Sequence, residues 1–295
     1  MNDINELILG AIDMHVHANP DISLKHRQTK SNDEVIETCM KAGMKGLVLK
    51  THGWPCLGLA HELNQKYEDF TVYPSVSLNR VAGGPYPWIV EMAIQMGTKV
   101  IWLPTWSAKS DMAHTGFGTI AKEYLPLTKE LGEEQYYYLL EDNGQLKKDI
   151  KTIIEMCAKN KIVICTGHIS QKESIEVAKY ADQIGYHKLV LTHPCSECSY
   201  NSFEQIQEFA SYGHFVEFCT LNLAPLHHSL EIMDIKKIIE DIGAEHCVLS
   251  TDHFFDWTPS IPDSFYEVLG CLLDVGVKYD DLKTMMNNPR RLLGE

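Results

Sequence analysis

In Asp13-Met14-His15-Val16-His17, two imidazoles stand two residues apart at the end of an apolar run. A strand sends successive side chains to opposite faces, so Asp13, His15 and His17 are expected to point together. Two neutral imidazoles so placed can share one metal ion, with zinc bound at about 2.0–2.1 Å. His-x-His alone arises by chance in many chains. Here, however, three further apolar runs close on a metal-binding residue: Thr166-Gly167-His168, Leu191-Thr192-His193 and Ser250-Thr251-Asp252. Each His taken singly reads equally well as a hydrogen-bonded packing residue. As a set, these residues predict a metal centre of His15, His17, His168, His193 and Asp252, holding one or two divalent ions, Zn2+ or alternatively Mn2+.

Other strand ends carry substrate-binding candidates. Leu49-Lys50-Thr51-His52 puts Lys50 and His52 on one face, and a lysine at the end of a buried strand is costly unless paired. His52 reads as a group that touches substrate or supports a ligand. Leu78-Asn79-Arg80, followed by Gly83-Gly84, reads as a turn at the same mouth, with Asn79 and Arg80 substrate-binding and Arg80 an anion clamp. His227, His228 and His253 fall in loops near that mouth. Cys195 and Cys198 form a Cys-x-x-Cys without a second such pair, so a structural zinc there is not expected. No Gly-x-Ser-x-Gly elbow or P-loop occurs, which argues against serine hydrolases and nucleotide hydrolases.

These residues need a scaffold that brings strand ends together. Eight short apolar runs are expected as strands: Ala11–Val16, Lys45–Leu49, Val72–Leu78, Lys99–Leu103, Ile162–Cys165, Lys188–Leu191, His214–Phe218 and Cys247–Leu249. Between them Asn32–Ala42, Trp88–Met96, Leu146–Lys159, Phe203–Ser211 and Ile232–Ile242 repeat apolar residues every three to four positions, the helix period. Gly43, Gly97, Gly213 and Gly243 each stand where such a helix should stop. The alternation predicts an α/β fold, a (β/α)8 TIM-like barrel with an insertion after strand 4. A doubly wound sheet is the competitor, but no Gly-x-Gly-x-x-Gly follows the first strand. Residues 1–295 thus read as one barrel domain. Ser107–Gln145 is its insertion or lid, with a tight turn at Asn143-Gly144 and aromatic residues Trp106, Phe117, Tyr136, Tyr137 and Tyr138.

Composition narrows the partners. With 26 basic and 40 acidic residues the net charge is −14, which disfavours nucleic-acid binding. No run approaches the ~18 apolar residues of a membrane span. Met1–Gly10 lacks the features of a secretory signal, and nine cysteines, an odd number, suit a reducing compartment. A cytoplasmic enzyme acting on a small molecule, with no nucleic-acid or membrane partner, is expected. A homo-oligomer is compatible with such a barrel.

With His15 and His17 on the first strand, His168 after the fifth, His193 after the sixth and Asp252 after the eighth, the chain resembles the amidohydrolase superfamily. The resemblance runs from residue 11 to the C-terminus and includes the closing segment Asn287-Asn288-Pro289-Arg290-Arg291-Leu292-Leu293-Gly294. It implies a metal-activated water that attacks an amide, cyclic amide or lactone C–N or C–O bond. In that scheme Asp252 accepts the water's proton and passes it to the leaving group, and His193 binds a second ion or polarises the substrate carbonyl. Binuclear members usually bridge their ions with a carboxylated lysine or a glutamate from strand four, sometimes with a glutamate from strand three. Here Ile101-Trp102-Leu103-Pro104-Thr105-Trp106 has neither, Lys109 lies further out, and strand three ends without a carboxylate. Lys50 therefore has two readings: a carboxylated bridge, or a cation that binds a substrate carboxylate or pairs with Asp13. The superfamily also includes phosphoesterases and decarboxylases. The polymerase-and-histidinol-phosphatase type begins Asp-x-His-x-His too, but commonly carries Thr-Asp-His after strand two, where Lys50-Thr51-His52 lacks the aspartate.

Overall fold

Eight parallel strands follow one another around a barrel in chain order: β1 (Ile12–His17), β2 (Gly46–Lys50), β3 (Thr71–Ser77), β4 (Val100–Trp102), β5 (Val163–Cys165), β6 (Leu189–Leu191), β7 (Phe215–Cys219) and β8 (Cys247–Ser250). This computed structural model describes residues 3–26, 30–113, 123–125, 132 and 135–295. The consecutive strand order excludes the doubly wound alternative, whose order reverses at a switch point. The ring closes where Val16 bridges His253. The His17 N–H donates to the His253 carbonyl (3.0 Å) and the His253 N–H to the His15 carbonyl (3.4 Å).

Inward side chains fill the barrel: Ile12, Met14, Val48, Trp102, Val190 and Val248 are among a buried apolar plug. Alternate residues of the same strands pack outward against the helices, with Leu47, Ile101, Ile164, Leu191, Val216 and Leu249 in that outer layer. The helix Ile232–Ile242 shows why these segments are helical. It buries Ile235, Ile238 and Ile239 at helical spacing, each worth about 1.5–3 kcal/mol. Helix ends follow the expected glycines, with Gly43 and Gly213 at φ of +78° and +80°.

Gly167 has a different task. At φ +61° it passes so close to β4 that a Cβ would lie 2.3 Å from the Leu103 carbonyl oxygen, so only glycine brings His168 to its place. The closing segment lies within the helix Tyr279–Leu293, and its Asn288 amide donates to the Ala244 (2.9 Å) and Cys247 (2.7 Å) carbonyls at the start of β8.

The described parts of the insertion are built on the barrel mouth. Ala108 bridges Tyr137, and Leu140 pairs antiparallel with Leu146 across the expected tight turn at Asn143-Gly144. Phe117 lies outside the described residues. Among those residues, no helix is long and apolar enough to cross a membrane, and all nine cysteines are free thiols.

Candidate metal centre

β1 carries a bulge. Between Asp13 and Val16 it spends one residue more than β2 spends between Leu47 and Leu49. The extra residue breaks strict alternation. Ile12 and Met14 join the barrel plug, yet His15 and His17 also face the centre. Asp13 therefore does not point with them. Its carboxylate accepts from the His15 N–H (3.0 Å), the Thr251 N–H (3.2 Å) and the Thr251 hydroxyl, tying β1 to β8. Burial pushes its carboxyl up to about 7, against the opposing pull of these donors.

The expected ligands converge. Nε2 of His15 and of His17 each lie 3.1 Å from Oδ1 of Asp252. The rings of His15 and His193 stand 5.8 Å apart, those of His168 and His193 5.0 Å. Of four compact groups among the described residues, one joins His15, His17 and Asp252 and another His168, His193 and Cys198, the other two being His15, Glu217 and Cys219, and His17, Asp21 and His52; in each, the potential ligand atoms lie within 4.8 Å of one another. His193 and Asp252 adopt φ of +25° and +54°, in the left-handed region that costs a side chain about 1–3 kcal/mol. In both cases the chain bends two residues past the end of its strand, at His193 after β6 and at Asp252 after β8.

Carboxylates absent from the sequence expectations hold the imidazoles. Nδ1 of His15 donates to Glu217 (3.2 Å), Nδ1 of His17 to Asp21 (2.6 Å) and Nδ1 of His168 to Asp111 (2.8 Å). A carboxylate on Nδ1 fixes the tautomer and turns the Nε2 lone pair to the other side of the ring. Asp21 also accepts from the His52 (2.6 Å) and Gly53 (3.0 Å) N–H groups, so one side chain braces two strand ends. Glu217 was visible in the sequence as a charge inside the apolar run of β7. Asp21, in the loop after β1, and Asp111, in a five-residue helix of the insertion (Lys109–Ala113), gave no such signal.

Electrostatics favour neutral His15 and His193 beside an ionised Asp252. Burial holds His15 well below the usual imidazole range, with Lys50 and the other imidazoles adding to the effect, and lowers His193 to about 3. Burial would raise Asp252, but the neighbouring His15, His17 and Lys50 outweigh it and keep its carboxyl well below the usual range. Nε2 of His193 is buried with no hydrogen-bond partner among the described residues. Such an atom is expensive unless something absent from the chain satisfies it.

The remaining candidates separate. Lys50 is buried, its Nζ 2.8 Å from Nε2 of His15 and 4.6 Å from the Trp102 ring centre, which places it in the ligand cluster, with Asp13 engaged elsewhere. His52 stacks on Trp106 (5.4 Å) and lies tilted against His17 (4.7 Å) at the mouth, its Nδ1 meeting the Thr105 hydroxyl (2.9 Å). Asn79 is fully buried. Its amide donates to Thr105 and the His52 carbonyl and accepts from the Thr105 and Ser107 N–H groups, so it braces the mouth where substrate contact was expected. Arg80 donates to the Gln135 carbonyl and lies over the Tyr137 ring, which ties it to the insertion. His227 stacks on Phe255 and Trp257, and His228 pairs with Glu231 at the surface.

Comparison with known proteins bears on this geometry. The model of DUF6282, described as a family of unknown function, matches residues 10–217. The chain belongs to this family. The match spans β1 to Glu217 and so includes every expected ligand except Asp252. No curated protein matches by sequence. Among solved structures, an amidohydrolase from Pseudomonas aeruginosa aligns over 100% of both chains, with TM-score 0.67 and 14% identity. The probable dipeptidase PvdM from the same organism covers 99% of this chain and 97% of its own, with TM-score 0.65 and 12% identity. A 2,6-dihydroxybenzoate decarboxylase from Rhizobium covers 97% and 99%, with TM-score 0.58 and 11% identity. This DUF6282 chain therefore shares a (β/α)8 barrel with these proteins, and that one fold serves hydrolases and a decarboxylase alike.

Proposed function

We propose that this DUF6282 protein is a metal-dependent hydrolase that cleaves an amide, cyclic amide or lactone bond of a small molecule. One observation carries the reading: three imidazoles held through Nδ1 by buried carboxylates surround a strand-end aspartate and an unsatisfied His193 Nε2. That donor set suits zinc or manganese, with His15, His17 and Asp252 as one group of ligands and His168 and His193 as the other. A divalent ion held there supplies Lewis acidity, polarising a carbonyl oxygen and bringing the pKa of water towards 7.

The chain's own residues do the rest. Asp252, ionised at neutral pH, accepts a proton at Oδ1 and returns it to the departing nitrogen or oxygen. Asp21, Glu217 and Asp111 keep His17, His15 and His168 oriented through turnover. Trp106 and Phe254, both buried, shield the imidazoles from bulk water. Lys50 is read as a carboxylated ligand: its Nζ lies 2.8 Å from His15 Nε2, where an ammonium would repel a dication.

The test is turnover of a panel of lactones, cyclic amides, N-acyl amino acids and phosphoesters by protein loaded with zinc or manganese. Cleavage of C–N or C–O bonds with incorporation of solvent oxygen is expected, and Asp252→Asn should reduce it by at least about 100-fold with an unchanged circular dichroism spectrum. Turnover of phosphoesters alone, or release of carbon dioxide without solvent oxygen, overturns the reading.

A further inference from the structure

The loop after β6 folds back on its own start. Pro194 follows His193, and two successive turns then reverse the chain: the Ser196 N–H donates to the His193 carbonyl (3.0 Å) and the Ser199 N–H to the Ser196 carbonyl (3.1 Å). The Ser199 hydroxyl donates to the His193 carbonyl (3.2 Å), and the Asn201 N–H to the Pro194 carbonyl (2.7 Å). From outside, Ser110 of the insertion donates to the Cys198 carbonyl (3.3 Å) and Asn222 to the Ser196 hydroxyl (2.7 Å). A five-residue excursion thereby returns the Cys198 thiol to the imidazoles of His193 and His168, ligand atoms within 4.8 Å of one another.

Most buried cysteines act as small apolar residues. Cys39, Cys56, Cys157 and Cys247 do so here in the layer between strands and helices, and Cys165 does so inside the barrel. Cys198 is only 3% exposed, yet it belongs to none of the apolar clusters among the described residues. Its company is polar. The second, independent feature is His193 Nε2, buried in the same group without a hydrogen-bond partner.

We infer that Cys198 is a thiolate ligand of the ion held by His168 and His193, so that this half of the centre is a soft His–His–Cys site. The inference rests on the metal reading above and goes further than it. On binding, the S–H bond breaks, the proton leaves to solvent and the sulfur lone pair bonds to the cation, with no change of oxidation state. A thiolate selects zinc or cobalt over magnesium and manganese, whereas the His15, His17 and Asp252 group is open to the harder ions.

Cobalt(II) tests this without any substrate. The full-length protein is stripped with a chelator, titrated with cobalt and followed by absorption. Visible ligand-field bands report binding to imidazole and carboxylate, and a near-ultraviolet sulfur-to-cobalt charge-transfer band reports the thiolate. Wild type should show both. Cys198→Ser and Cys198→Ala should lose the charge-transfer band and hold zinc at least about 10-fold more weakly, while Cys195→Ser keeps the band. Ligand-field bands without a charge-transfer band in wild type would overturn the thiolate and leave the metal reading standing. A band that survives in both folded Cys198 variants, or that vanishes only in Cys219→Ser, assigns the sulfur elsewhere and also overturns it. No cobalt absorption at all removes the metal reading and this inference with it.

Discussion

Oδ2 of Asp111 lies 2.8 Å from Nδ1 of His168, so a side chain of the insertion after β4 orients a candidate ligand at the end of β5. The insertion therefore contributes a side chain to the centre. Asp111→Ala should weaken zinc affinity by about 10–100-fold, the usual effect of losing an imidazole's outer partner. Competition against a chromophoric chelator measures it, and an unchanged affinity would mean that His168 is oriented by other means.

Metal content decides the role of Lys50. A carboxylated Lys50 forms when its amine adds to carbon dioxide and releases a proton, giving a bridge between two ions. Wild type loaded in bicarbonate should then hold two ions per chain and Lys50→Met no more than one, by elemental analysis. Equal metal content in both proteins would show that Lys50 is a cation for substrate.

His214 gives a pH dependence away from the centre. It is buried, its Nε2 donating to the Ala178 carbonyl (3.1 Å), while Nδ1 has no partner among the described residues. Burial lowers its pKa from 6.5 to about 4. The folded state therefore keeps it neutral while the unfolded chain binds a proton, so stability is full above pH 6.5 and falls as pH drops towards 4. Between pH 7 and pH 5 the metal-free wild type should lose about 2 kcal/mol more than His214→Gln, read from urea midpoints. Parallel losses in the two proteins would rule out His214 as the source.

Asn288 makes the closing segment structural. Asn288→Ala leaves the Ala244 and Cys247 carbonyls without their donor in a buried place, at about 1–3 kcal/mol each. Urea denaturation should show a loss of about 2–4 kcal/mol. A change under 0.5 kcal/mol would indicate that water replaces the amide.

The strands were legible because each is a short apolar run followed by an amphipathic helix, and the helices Phe203–Ser211 and Ile232–Ile242 run between the residues expected. That His15, His17, His168, His193 and Asp252 gather at one end of the barrel was legible for the same reason: a polar residue directly after an apolar run stands out. What sequence could not give was set by tertiary contacts. The β1 bulge depends on pairing with β2, so strict alternation placed Asp13 with the histidines when it turns to Thr251 instead. Asn79 looked like a substrate group because its type and position permit that, and only the partners of its amide show it to be occupied. Asp21 and Cys198 reach the centre from loops and Asp111 from a five-residue helix, where no periodicity points.

The hydrogen bonds between His253 and β1 have a consequence for how the protein is made. Asp252 is 235 residues beyond His17, and the two meet only when the last strand seals the ring against the first. A ribosome adding about 5–20 residues per second needs roughly 10–50 s to travel from one to the other. Throughout that interval the histidines of β1 stand beside an open seam, without their anionic partner. The meeting of His15, His17 and Asp252 that the proposed metal site needs thus waits until β8 has been made.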